Sequence, residues 1–193
     1  MEVIKTAIDG VLILEPRVFT DARGYFFESF SQRDFDALME PLLGRSVRFV
    51  QDNESCSCRG VVRGLHFQKA PFAQAKLVRC VSGRILDVAV DIRPGSPTFG
   101  RHVTAELSGE NHRQVFLEKG LAHGFAVLSD SAVFQYKCDE FYHPEADSGI
   151  QPLDPSLGID WGIPFDEMIL SEKDRERECL SSFAGLTGES PAV

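Results

Sequence analysis

The sequence predicts an all-β chain, a sandwich or barrel of short strands, and three observations carry that prediction. Short apolar runs recur along most of the chain, punctuated by Gly, Pro, Ser and Asn. Fifteen Phe stand against one Trp and three Tyr, a balance suited to sheet faces and an apolar interior. Only one early segment has a clear helical period, and no internal repeat interrupts the pattern.

The elements follow in order. Residues 11–14 (VLIL) open the series, and the turn signal Thr20-Asp21-Ala22-Arg23-Gly24 leads into a strand over 24–30. Ser31 is placed to cap a helix, with Asp34 three residues on and Phe35, Leu38, Met39 and Leu42 at helical spacing. Strands resume over 47–51 and 61–68. Residues 76–81 and 84–92 read as a hairpin turning at Ser82-Gly83. In its second arm Leu86, Val88, Val90 and Ile92 share one face, while Asp87, Ala89 and Asp91 share the other. After Pro94-Gly95-Ser96-Pro97, strands are expected over 102–107, 113–117 and 132–137. Gly120 to Phe125 reads as a glycine-flanked turn entering a strand. Residues 144–170, with Pro144, Pro152, Pro155 and Pro164, form a long ordered loop or wrap. A short helix is expected from Ser171 to about residue 182, then a frayed tail over 187–193. The 193 residues make one domain with a substantial core.

Composition excludes some functions. The net charge of −9 and the lack of a basic stripe argue against nucleic acid. A local arginine cluster can still hold a small anion. No run reaches the ~18 apolar residues of a membrane span, and the N-terminus lacks a signal-peptide pattern. Five cysteines, odd in number and without framework spacing, favour a reduced, cytoplasmic protein. Cys56-Ser-Cys58 lacks a second pair at finger spacing, so no zinc site is expected there.

The residues that do not fit a plain sheet are the functional candidates. Val61 to Gln68 (VVRGLHFQ) sets Arg63 and His66 in an apolar strand. Strict alternation puts them on opposite faces, but Gly64 between them can mark a bulge that turns both inward. Alone, His66 reads equally as a satisfied core or surface histidine, Lys76 as a solvated edge lysine and Tyr136 as a core tyrosine. His123 lies among small residues. Ser171-x-x-Asp174 is also a capping box, so the carboxylate has a structural role available, although a carboxylate has acceptor positions to spare. No His-x-His pair occurs, which leaves a histidine-bound metal without its local signature.

These motifs, taken together, resemble the dTDP-4-dehydrorhamnose 3,5-epimerase family. The resemblance lies in Glu15-Pro16-Arg17-Val18-Phe19, Asp21-x-Arg23-Gly24, Gln51-Asp52-Asn53, Val62 to Gln68, Lys76-Leu77-Val78-Arg79, Leu86 to Arg93, Ser96 to Gly100, Gly120-x-Ala-His123-Gly124-Phe125 and Leu170 to Asp174. They follow family order over nearly the whole chain. The resemblance implies a metal-independent, cupin-type jelly-roll barrel that works as a homodimer without a cofactor. It implies inversion of C3 and C5 of a dTDP-4-keto-6-deoxyhexose bound in the barrel mouth, on the route to dTDP-L-rhamnose. It also implies roles: His66 as base, Tyr136 as acid, Asp174 as partner of His66, and Lys76 beside the keto oxygen. Arg23, Glu28, Gln51, Asn53, Arg63, His123, Asp147 and Lys173 match positions around the nucleotide sugar. Phe141 stands where many members carry a tyrosine against the thymine, and it keeps the aromatic face. Three alternatives accompany this reading: an epimerase of one carbon only, a nucleotide-sugar-binding cupin without catalysis, and a metal-dependent cupin oxygenase.

Overall fold

The computed structural model describes residues 1–187. The chain runs through β1 (Glu2–Lys5), β2 (Val11–Glu15), β3 (Phe19–Asp21), β4 (Gly24–Phe26), α1 (Gln32–Leu43), β5 (Gln51–Cys58) and β6 (Val62–Gln68). It continues with β7 (Lys76–Ser82), β8 (Arg84–Asp91), β9 (His102–Ser108), β10 (Gln114–Leu117), β11 (Leu121–Val127), β12 (Ser131–Cys138), β13 (Asp147–Gly149) and α2 (Glu172–Arg175). Two antiparallel sheets form the body, one of six strands ordered β1-β2-β10-β7-β12-β5 and one of five ordered β13-β6-β11-β8-β9. Strands β3 and β4 make a separate small hairpin. The layout is the cupin-type jelly roll expected from the sequence.

Alternation along the strands sorts residues into three cores. Between the sheets, Val11, Val78, Ile85, Ala89, Val115, Phe125 and Phe134 form the barrel interior. Outside the six-stranded sheet, α1 lays Phe35 and Met39 on Leu12, Leu14, Leu77 and Phe116. The helix starts where predicted, with Ser31 Oγ accepting from the Asp34 N–H, and it stops at Gly44 in the left-handed region. Leu43 rather than Leu42 packs against this core; Leu42 is exposed. Outside the five-stranded sheet, the proline-rich wrap seats Ile150, Leu157, Trp161 and Ile163 on Val62, Leu65, Val88 and Val90. Trp161 closes the contact by donating to the Pro152 carbonyl at 3.0 Å.

Four expectations needed correction. The strand expected over 47–51 instead spans Gln51–Cys58. That over 24–30 stops at Phe26, because Phe27 turns onto His112 and Phe30 onto Phe35. Gly120 to Phe125 holds a full strand, Leu121–Val127, at the centre of the five-stranded sheet. The helix from Ser171 lasts one turn, Glu172–Arg175, and a separate 3-10 segment follows over Leu180–Thr187. The tail expected over 187–193 lies, past its first residue, outside the described residues. Among the described residues no helix is long and apolar enough to cross a membrane.

Candidate active site

A cavity of about 460 Å³ is lined by residues of β6, the 142–147 segment and the 169–177 segment, including Arg63, His66, Asp147, Lys173 and Asp174. Gly64 explains how Arg63 and His66 share it. His66 lies opposite His123 and Arg63 opposite Phe125, so three steps along β6 match two along β11. This is the bulge that the sequence suggested. Gly64 has φ +140°, and a Cβ there would stand 2.6 Å from Gly124 Cα. Only glycine fits both the conformation and the approach.

His66 Nε2 and Asp174 Oδ1 are 2.6 Å apart, with the imidazole side chain 38% exposed and the carboxylate 6%. Burial pushes the Asp174 carboxyl up, but hydrogen bonds from His66, Ser171 and the Gly64 backbone outweigh it and hold it below the usual range. Half of the expected capping box is present, with Ser171 Oγ accepting from the Asp174 N–H at 3.1 Å. One residue serves both ends, backbone to the cap and carboxylate to the histidine.

His123, the strand partner of His66, makes a second pair with Asp87 Oδ2 at 2.7 Å, here buried on both sides. Asp87 was legible only as a face-mate of Ala89 and Asp91. That face proves to be the barrel interior, with Ala89 in the inner core. Across the barrel, on the six-stranded sheet, Tyr136 pairs in register with Asn53, and Lys76 with Cys138. Lys76 Nζ stands 5.7 Å from the centre of the Tyr136 ring. Burial lowers the Lys76 ammonium, partly opposed by the charges of Cys138, Asp147 and Asp87. Burial raises the Tyr136 phenol, which Arg63 opposes. Groups on both sheets thus share one electrostatic environment.

Strand β5 supplies the polar rim. Gln51, Asn53, Ser55 and Ser57 alternate inward, and Ser57 Oγ accepts from Arg63 Nε at 3.1 Å. Gln51 Nε2 donates to Asn53 Oδ1 at 3.0 Å, while its carbonyl accepts the Tyr142 N–H at the same distance. Phe141 and Tyr142 project from this rim, each more than half exposed. Asp147 is gripped by Lys173 and, at 3.3 Å, by Arg177. Two candidates are not brought together with the rest in the single chain. Arg23 is 90% exposed on the small hairpin and paired with Asp21. Glu28 lines a separate cavity of about 510 Å³ beside α1. Asp87, Ser57, Cys138, Tyr142 and Arg177 belong to the neighbourhood but were not singled out from sequence. Among the described residues no three His, Cys, Asp or Glu side chains converge as a metal-holding group.

A jelly roll with a histidine–aspartate pair on one wall and a phenol and an amine on the other defines an enzyme that moves protons on a small molecule in its mouth. A sequence model of the dTDP-4-dehydrorhamnose 3,5-epimerase family matches residues 5–182, and the chain belongs to that family of isomerases. The dTDP-4-dehydrorhamnose 3,5-epimerase of Escherichia coli is 55% identical over 174 residues, covering 90% of this chain and 91% of the relative. The Legionella pneumophila 3,5-epimerase, solved with dTDP-4-keto-L-rhamnose, superposes with a TM-score of 0.89 at 48% identity, covering 99% of each chain. A 3'-monoepimerase of Streptomyces bikiniensis, solved with dTDP-quinovose, gives 0.84 at 37% identity, covering 94% of this chain and 90% of its own.

Proposed function

We propose that the chain inverts C3 and C5 of dTDP-4-keto-6-deoxy-D-glucose, yielding dTDP-4-keto-L-rhamnose. The observation that carries this is the placement of His66–Asp174 on one sheet and Tyr136 with Lys76 on the facing one. Both carbons flank the C4 ketone, so loss of either proton gives an enolate with its charge on the C4 oxygen. His66 takes the proton, and Asp174 orients the ring and supports the imidazolium. In this reading Lys76 offers its ammonium to the developing oxyanion, and burial strengthens the action of such a charge. Inversion then needs a proton from the opposite face of the sugar. We assign that proton to Tyr136 on the facing sheet, whose phenol burial pushes up, toward the protonated form that a donor needs. This proton chemistry calls for no redox or metal cofactor.

The remaining candidates suit the nucleotide. Arg63 and Lys173 offer cations to the diphosphate, and Gln51, Asn53 and His123 offer hydrogen bonds to the sugar. Phe141 offers an exposed ring to the base. Asp147 acts through its partner Lys173. Arg23 and Glu28 fit a homodimer in which the β3–β4 hairpin reaches the second copy. Exposed Phe19, Tyr25 and Phe26 on that hairpin support such an interface. All five cysteines are free thiols, which suits a cytoplasmic setting.

The likeness to a 3'-monoepimerase supports a second reading, inversion at one carbon only. Incubation with dTDP-4-keto-6-deoxyglucose in D2O, read by NMR, separates the two. Deuterium at C3 and C5 with inversion at both is expected, and label at one carbon alone would overturn the double inversion.

A further inference from the structure

Arg177 stands beside the candidate site, and neither the family motifs nor the acid–base scheme uses it. It follows α2 by two residues, its side chain is 13% exposed, and it lines the same cavity as His66. It is pressed against the backbone of β13: a Cβ on Gly149 would meet Arg177 Nε at 2.9 Å and Cζ at 3.2 Å. Gly149 is itself the strand partner of His66. Glycine at this position leaves the space that the guanidinium fills.

Asp147 therefore has two cationic partners of opposite accessibility. Lys173 reaches it from the solvent side, with 64% of its own side chain exposed. Arg177 reaches it from the buried side through one Nη at 3.3 Å. The neighbouring Nε–H on the same edge of the guanidinium is buried and has no acceptor among the described residues. A buried donor without an acceptor gains from any acceptor brought to it. The stronger arrangement occurs elsewhere in this molecule: Arg93 grips Asp91 with Nε at 2.9 Å and an Nη at 2.7 Å. Arg177 holds Asp147 with half of that fork.

We propose that Asp147 and Arg177 form an exchange seat for Lys173. In the empty enzyme Lys173 rests on Asp147. When the nucleotide diphosphate sugar arrives, the Lys173 ammonium moves to the anionic substrate. Asp147 then closes onto both donors of Arg177. Without Arg177 that departure would leave a carboxylate, only 16% exposed, facing an incoming anion with no counter-charge. With it, Asp147 stays neutralised and one net positive charge is free for the substrate. The inference rests on the reading of Lys173 as a substrate-binding residue.

Steady-state kinetics on three purified full-length variants, each checked by circular dichroism, test the proposal. Lys173→Ala is expected to raise KM about tenfold, as loss of one charged contact does. Arg177→Gln is expected to raise KM about tenfold with kcat changed less than about threefold, because Lys173 is then locked on its only carboxylate. Combining Arg177→Gln with Asp147→Asn is expected to return KM to within about threefold of the parent, the coupling expected when an uncompensated Asp147 is what withholds Lys173 from the substrate. Should Arg177→Gln not fold, Arg177→Met removes the charge, keeps much of the side-chain volume and carries the same paired test. An unchanged KM in the Arg177 variant, or a double variant worse than the single, overturns the exchange seat while leaving Lys173 as a binding residue. An unchanged KM in Lys173→Ala overturns the binding role of Lys173 itself, and the exchange with it.

Discussion

Two histidine–aspartate pairs sit on neighbouring strands with nearly the same contact, 2.6 Å for His66–Asp174 and 2.7 Å for His123–Asp87. Their surroundings differ. The His66 imidazole is 38% exposed and its aspartate arrives from the C-terminal wrap, whereas the His123 side chain is 8% exposed and its aspartate belongs to the adjacent strand of the same sheet. The first can meet a bound sugar while its far side is held; the second is fixed as part of the wall. In the proposed reaction the same chemical pair serves proton transfer where it is half-exposed and positioning where it is buried. The carboxylate that makes the difference for His66 is the one delivered from farthest along the chain.

The strongest way to break this contrast is to remove each imidazole. His66→Ala is expected to lower kcat by about 10³-fold, within the range for loss of a positioned general base, with the affinity for dTDP kept. His123→Ala is expected to cost less, about 10- to 100-fold, spread over kcat and KM. NMR assays of sugar inversion and calorimetric titration with dTDP check both. A larger loss from His123→Ala than from His66→Ala would reverse the assignment of the two pairs.

Neither pair provides the proton that returns to the opposite face, so the contrast also predicts what happens when the facing sheet is altered. Tyr136→Phe removes the hydroxyl and keeps the ring, which lies tilted against Phe134 and beside Lys76. Net inversion is expected to fall about 10²-fold, while deuterium exchange from D2O continues at the carbon that His66 can reach. Equal loss of exchange and inversion would show that Tyr136 does not act as a separate acid. Next in size, Asp174→Asn is expected to lower kcat about 10²-fold, because an amide can hold the wrong tautomer of His66. Asp87→Asn is expected to lower it about tenfold by the weaker, indirect route. Parallel kcat measurements on the two asparagine variants rank them.

How much of this was legible in the sequence depends on which side of each residue carried a local signal. The bulge at Gly64 was readable because a glycine between two misplaced polar residues is a local pattern. Ser171 was readable as a cap, and it is one, accepting from the Asp174 N–H. Strand β5 was not readable: Gln51-Asp-Asn-Glu-Ser-Cys-Ser-Cys58 has no apolar alternation, because its inward face lines a wet cavity and its other edge is unpaired. The pattern that normally betrays a strand is a hydrophobic core on one side, and here that side carries Gln51, Asn53, Ser55 and Ser57. Asp87 was hidden by the opposite problem. Both faces of β8 are buried, so the Leu86, Val88, Val90 and Ile92 stripe masked the face turned toward the barrel interior. Arg177 lies in the mixed charged run Arg-Glu-Arg-Glu, where nothing local separates a solvated arginine from a buried one. Only the tertiary meeting with Asp147 and Gly149 does so.

A second inward carboxylate on β8 sharpens the contrast at its weakest end. Asp91 lies on the same face as Asp87 and is 0% exposed, yet its partners are Arg93, Ser96 and Thr98, and no histidine is among them. Burial alone would raise its carboxyl, but those hydrogen bonds outweigh it and hold the pKa at about 2, from an ordinary 3.8. A depressed folded-state pKa contributes stability that is complete above the unfolded value and is lost as pH falls through the folded one. The contribution is about 2 kcal/mol at neutral pH and fades between roughly pH 4 and pH 2. Asp91→Asn is therefore expected to lower the urea midpoint at pH 7 by an amount worth about 2 kcal/mol, and by clearly less at pH 2.5. Turnover per folded molecule is expected to stay at the parent level, since Asp91 fastens the 91–98 turn and touches neither histidine. If Asp91→Asn lowered turnover as Asp87→Asn does, the distinction would fall, and any buried acid on this strand would matter to the chemistry. If it lowers stability alone, what makes Asp87 functional is the histidine it faces, and burial on the inner wall is only the setting.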